Sequence, residues 1–70
     1  MKSFRVNSHM VEAVGYDDQD RILQVVFKGG KIYNYEDVSI EVFEALMDSE
    51  SIGNFILEYI MNDYHNYEVE

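Results

Sequence analysis

Arg21-Ile22-Leu23-Gln24-Val25-Val26-Phe27-Lys28-Gly29-Gly30-Lys31-Ile32-Tyr33-Asn34-Tyr35 is the stretch that decides the fold. Successive side chains of a strand point to opposite faces, so Leu23, Val25 and Phe27 share one side while Ile22, Gln24, Val26 and Lys28 share the other. Gly29-Gly30 suits a two-residue hairpin turn, because glycine adopts positive φ without a steric penalty. Ile32 to Tyr35 returns as the second arm, with Tyr33 and Tyr35 on one face, in register with Leu23, Val25 and Phe27. Upstream, Met10 to Tyr16 carries Val11, Val14 and Tyr16 and reads as another strand, joined through the polar loop Asp17-Asp18-Gln19-Asp20.

Downstream the period changes at Asp37. Ser39 is placed to cap a helix burying Val42, Phe43, Leu46 and Met47, and Ser51 to cap a second. In that second helix Ile52, Phe55, Ile56, Tyr59 and Ile60 recur at helical spacing. The expected fold is α+β: a three-stranded antiparallel sheet followed by two amphipathic helices packed on one face. Residues 1–70 form a single domain in this reading, with one core holding Leu23, Val25, Phe27, Phe43, Leu46, Phe55 and Tyr59.

Charge narrows the partners. The first 35 residues hold all five bases (Lys2, Arg5, Arg21, Lys28, Lys31) against four acids, whereas the remaining 35 hold ten acids and no base. A net charge of -9 disfavours long nucleic acid, whose binding draws on many lysine and arginine contacts to phosphates. One or two phosphates on a small ligand need only one or two cations. The chain has no cysteine, which is compatible with a reducing compartment, and no apolar run of membrane-spanning length. A cytoplasmic location with no membrane partner is expected. There is no cysteine nucleophile, no Gly-x-Ser-x-Gly elbow and no phosphate loop, and His9 and His65 lie far apart. Asp17, Asp18 and Asp20 lack the ligand spacing and closing glutamate of a calcium loop. The reading is therefore of a protein that is not an enzyme and uses no metal or cofactor.

The segments Val6-Asn7-Ser8, Ala13-Val14-Gly15-Tyr16-Asp17, Leu23-Gln24-Val25-Val26-Phe27, Tyr33-Asn34-Tyr35, Val42-Phe43-Glu44-Ala45-Leu46 and Ser51-Ile52-Gly53-Asn54-Phe55 resemble the KTSC domain in order and spacing. That family takes its name from the carboxy-terminal domain of some lysyl-tRNA synthetases and also occurs as free-standing proteins in bacteria and their viruses. The resemblance implies a fold, and a suggested RNA-binding accessory role. His9 stands where the family often has a second serine, and no base follows Lys31, which count against the RNA role.

Candidate ligand-binding residues are Arg5, Ser8, His9, Tyr16, Lys28, Tyr33, Asn34 and Tyr35. Arg5 and Lys28 would neutralise phosphate, the tyrosines would stack on a base, and Ser8, His9 or Asn34 would read its edge. Ile22, Val26 and Ile32 are left on the other side of the sheet, and Leu57, Met61 and Tyr64 form a second stripe on the last helix. Exposed apolar patches of this kind mark association, here as a homo-oligomer, dimer or tetramer. The expected function is sequestration of a small nucleotide, such as a cyclic di- or oligonucleotide immune signal in a viral counter-defence setting. Two alternatives are an acidic mimic of nucleic acid that occupies a host protein's basic groove, and the RNA-binding accessory role.

Overall fold

A computed structural model describes residues 2–70. The strands are β1 (Lys2–Arg5), β2 (Val11–Asp17), β3 (Ile22–Phe27), β4 (Ile32–Tyr35) and β5 (Asn66–Val69). They form one sheet in the order β1-β2-β3-β4-β5, each antiparallel to its neighbours. Between β4 and β5 the chain forms α1 (Ile40–Asp48) and α2 (Ile52–Phe55), the latter running on into a π-helical segment, Ile56–Ile60. Val14, Leu23, Val25 and Tyr35 from one face of the sheet meet Val38, Leu46, Ile56 and Ile60 in a single buried cluster.

The sheet thus has five strands where three were expected. Both additional strands lie at its edges: all four residues of β1 are exposed, as are the first three of β5. An edge strand that buries almost nothing shows no apolar alternation, so backbone pairing holds it without leaving a signal in the side chains.

Three local features separate the observed chain from its simplest reading. The β2–β3 register passes from Val11↔Phe27 to Ala13↔Val26, so Glu12 is an extra residue. This bulge turns both Val11 and Val14 fully inward, which strict alternation forbids for residues three apart. The β3–β4 hairpin has a three-residue loop, Lys28 to Gly30, rather than a two-residue one. Phe27 N–H donates to Lys31 O at 2.8 Å and Gly30 N–H to Phe27 O at 3.1 Å, with φ of 104° at Gly29 and 100° at Gly30. Pairing of Val26 with Ile32 sets that loop length. In the last helix Met61 N–H donates to Ile56 O at 2.9 Å, an i→i+5 bond. The widened turn keeps Ile56 and Ile60 fully buried and rotates Tyr59, expected in the core, outward to 54% exposure, its ring 5.0 Å from Phe55.

Both caps form as the sequence suggests. Ser39 Oγ accepts from Val42 N–H at 3.3 Å and Ser51 Oγ from Asn54 N–H at 3.2 Å. The loop before β2 packs against α2 at Gly53, where a Cβ would lie only 3.2 Å from Ser8 Oγ. That oxygen already accepts from the N–H groups of Met10 and Val11 at 3.2 and 3.3 Å.

Candidate functional site

A cleft of about 540 Å³ opens between the β3–β4 hairpin and the π-helical segment. Phe27, Tyr33 and Tyr35, whose inward orientation follows from their register on β3 and β4, supply its aromatic wall. The Phe27 and Tyr33 rings meet edge to face at 6.0 Å and 81°. Tyr33 is half-buried, whereas Tyr35 is 2% exposed and belongs mainly to the core. Burial raises the Tyr35 hydroxyl pKa above its ordinary value, and the neighbouring Tyr33 raises it further.

Lys28, in the hairpin loop, and Lys31, just after it, stand at the rim, both exposed. Leu57 and Met61 form the opposite wall, and Asn62 and Asn66 add side-chain amides that donate and accept. Among the described residues that line this cleft there is no carboxylate, although the chain carries fourteen acids. Glu68, outside this lining, pairs with Tyr33 across β4 and β5. The arrangement offers an aromatic wall, two exposed cations and two amides, a set suited to an aromatic anion.

The expected ligand residues are not all gathered here. Lys28, Tyr33 and Tyr35 are. Ser8 and His9 line a separate cleft of about 300 Å³ beside Glu50, Asn54 and Leu57. Tyr16 lies at the far side of the core, where its ring stacks on Phe43 at 4.9 Å and its hydroxyl donates to Val38 O at 2.6 Å. Burial raises its pKa, opposed by the charge of Arg21. Tyr16 therefore braces the chain between β4 and α1.

Arg5 and Asn34 belong to the sheet face away from the helices: Arg5 pairs with Ala13, and Asn34 alternates with Tyr33 and Tyr35. There Asn34 joins a polar ladder, Gln24 Nε2 donating to Asn34 Oδ1 at 3.0 Å and Asn34 Nδ2 to the Tyr67 hydroxyl at 3.2 Å. Reasoning from sequence missed Asn62 and Asn66 and assigned Leu57 and Met61 to association rather than to a cleft wall. Only their return to the hairpin through the α1–α2 excursion could have shown it. Among the described residues no three His, Asp or Glu side chains converge on a point where a metal ion could sit.

The KTSC domain family model matches residues 7–64. The chain belongs to the KTSC domain family. An uncharacterized protein of Stutzerimonas stutzeri is 33% identical over 67 residues, covering 96% of this chain and 94% of the relative. A protein of Tsukamurella paurometabola is 45% identical over 51 residues, covering 73% of this chain and 76% of the relative. The crystal structure of a KTSC domain protein from Yersinia pestis superposes with a TM-score of 0.93 at 24% identity, covering 99% of this chain and 97% of that one. That KTSC structure shares the fold of this chain. Within Ser51-Ile52-Gly53-Asn54-Phe55, Gly53 is the position that Ser8 and Met10 approach closely.

Proposed function

We propose that this KTSC domain is a non-catalytic binding protein for a small nucleotide, held in the cleft between the β3–β4 hairpin and the π-helical segment. One observation carries the reading: in a chain of net charge -9, this cleft has two of the five cations at its rim and no carboxylate in its lining. Lys28 and Lys31 would take the phosphate, Tyr33 and Phe27 the base, and Asn62 and Asn66 its polar edge. Arg5, first in charge-based reasoning, gives way to Lys31 because it stands on the opposite face of the sheet. As a homo-oligomer, associating through the half-buried Ile22, Val26 and Ile32 of that opposite face, the protein would sequester several ligands per particle.

A thermal-shift screen against linear and cyclic nucleotides tests this, since tight binding to the folded state raises the melting temperature by mass action. Lys28→Ala with Lys31→Ala should abolish the shift. Silence of the wild-type protein at millimolar ligand would overturn the proposal. The acidic-mimic reading draws instead on Glu41, Glu44 and Asp48 of α1 and Glu58 of the π-helical segment, all exposed. It requires that reversing those acids to lysine destroys capture of a basic partner while the double lysine variant has no effect.

A further inference from the structure

The cleft that holds Ser8 and His9 shares a wall with the nucleotide cleft. Leu57 lines both, and it is 49% exposed. A second link joins them from below. Met10, in the lining of the smaller cleft, accepts through its carbonyl from the N–H of Lys28, in the lining of the larger, at 2.9 Å. The two cavities therefore sit on either side of one backbone junction, with Leu57 as the ridge between them.

Their chemistry differs in a complementary way. The larger cleft has two cations and no acid, whereas the smaller has Glu50 and neither lysine nor arginine, so an anionic group is welcome in one and repelled by the other. The smaller cleft offers Asn7 and Asn54 amides, the His9 imidazole and the Glu50 carboxylate. Those groups match the donor and acceptor edge of a neutral heterocycle, with the carboxylate able to accept from ring or exocyclic N–H groups. Ser8 has only its hydroxyl proton left to offer, because its oxygen already accepts from two backbone N–H groups. At about 300 Å³ the space is of the order that houses a small flat molecule.

We infer that the two clefts form one trough for a dinucleotide. One base and the phosphate lie in the Lys28, Lys31 and Tyr33 cleft, and the second base crosses Leu57 to lie among His9, Glu50 and Asn54. This inference rests on the nucleotide reading above and narrows it from any small nucleotide to one carrying two heterocycles. Leu57 and Met10 then present apolar surface to the bridging sugar and the second ring.

Isothermal calorimetry on the wild-type protein with guanosine and adenosine monophosphates, and with the corresponding linear and cyclic dinucleotides, tests it. A dinucleotide should bind at least about tenfold more tightly than its mononucleotide, because the second contact is made within an already bound molecule. His9→Ala combined with Asn54→Ala should erase that advantage while leaving mononucleotide affinity unchanged. Both side chains are exposed, and an unchanged melting temperature without ligand would exclude misfolding as the cause. Equal affinity for mono- and dinucleotides, or a dinucleotide advantage that survives the double variant, would overturn the trough and leave the nucleotide reading standing. Absence of binding by every probe would overturn both.

Discussion

Tyr16 and Tyr33 point to the same face of the sheet, yet they end in opposite circumstances. Tyr16 stacks on Phe43 nearly parallel, at 13° between planes, and spends its hydroxyl on Val38 O. Ring and polar tip are both satisfied by the protein's own chain, so that side of the core is closed. Tyr33 meets Phe27 by an edge and lines an open cleft under two lysines. The difference comes from what the helices cover: α1 brings Phe43 over Tyr16, while the wall beside Tyr33 is formed by Leu57 and Met61, set back across the cleft. A tyrosine on a sheet is thus a brace or a platform according to whether its exposed edge finds an internal partner.

The contrast can be broken most strongly from the closed side. Leu23 is fully buried and pairs with both Tyr16 and Tyr35 across the sheet. Leu23→Ala should cost about 2 to 5 kcal/mol, read as a large fall in the denaturation midpoint. On the open side Tyr33→Ala should leave the melting temperature comparatively high but weaken nucleotide binding by about 1 to 3 kcal/mol, roughly fivefold to over a hundredfold in calorimetry. If Tyr33→Ala instead unfolds the protein, the two tyrosines are braces alike and the comparison fails.

Tyr16→Phe keeps the stack on Phe43 and deletes the donor to Val38 O, a loss of about 1 kcal/mol. The same hydroxyl sharpens the comparison through pH. Burial raises the folded-state pKa of Tyr16 above the ordinary tyrosine value near 10. The neutral phenol is thereby favoured in the fold, so its stabilisation is complete below about pH 10 and is lost as pH rises through the folded pKa. Tyr35 carries a shift of the same sign. Urea titrations from pH 8 upward should show stability falling above about pH 10, with a shallower fall in Tyr16→Phe. The smallest effect belongs to the sheet's other face. Asn34→Ala breaks the partly exposed ladder to Gln24 and Tyr67 and should change stability by about 0.5 kcal/mol and nucleotide affinity not at all. A loss of binding in Asn34→Ala would move the site to that face.

Much of the architecture was legible from local patterning. Leu23 and Val25 alternate cleanly because β3 is central and one of its faces is buried, and Ser39 and Ser51 cap the helices because a hydroxyl there satisfies N–H groups that the first turn leaves free. Lys2–Arg5 and Asn66–Val69 escaped notice because exposed edge strands need no apolar face. The inward turn of Val11 depends on the bulge at Glu12, and the outward turn of Tyr59 on the π-helical segment, neither of which a fixed period describes. Asn34 is a different matter, since a period of two already sets it opposite Tyr33 and Tyr35, and grouping the three in one site overlooked that.

Sequence by itself determined the hairpin around Gly29-Gly30, the inward face of β3 and β4, the two helix starts and the segregation of every base into the first half of the chain. Those features act over a few residues, through φ preferences, side-chain alternation and capping, and so are written locally. Which cations share a cavity with which rings was decided only by the tertiary structure. Lys28 and Tyr33 lie on one hairpin, but Leu57, Met61, Asn62 and Asn66 reach them only because the chain leaves β4, builds both helices and returns antiparallel as β5. The same return left the acids of the second half out of that lining, and no local pattern encodes an exclusion made by a contact between residues thirty positions apart.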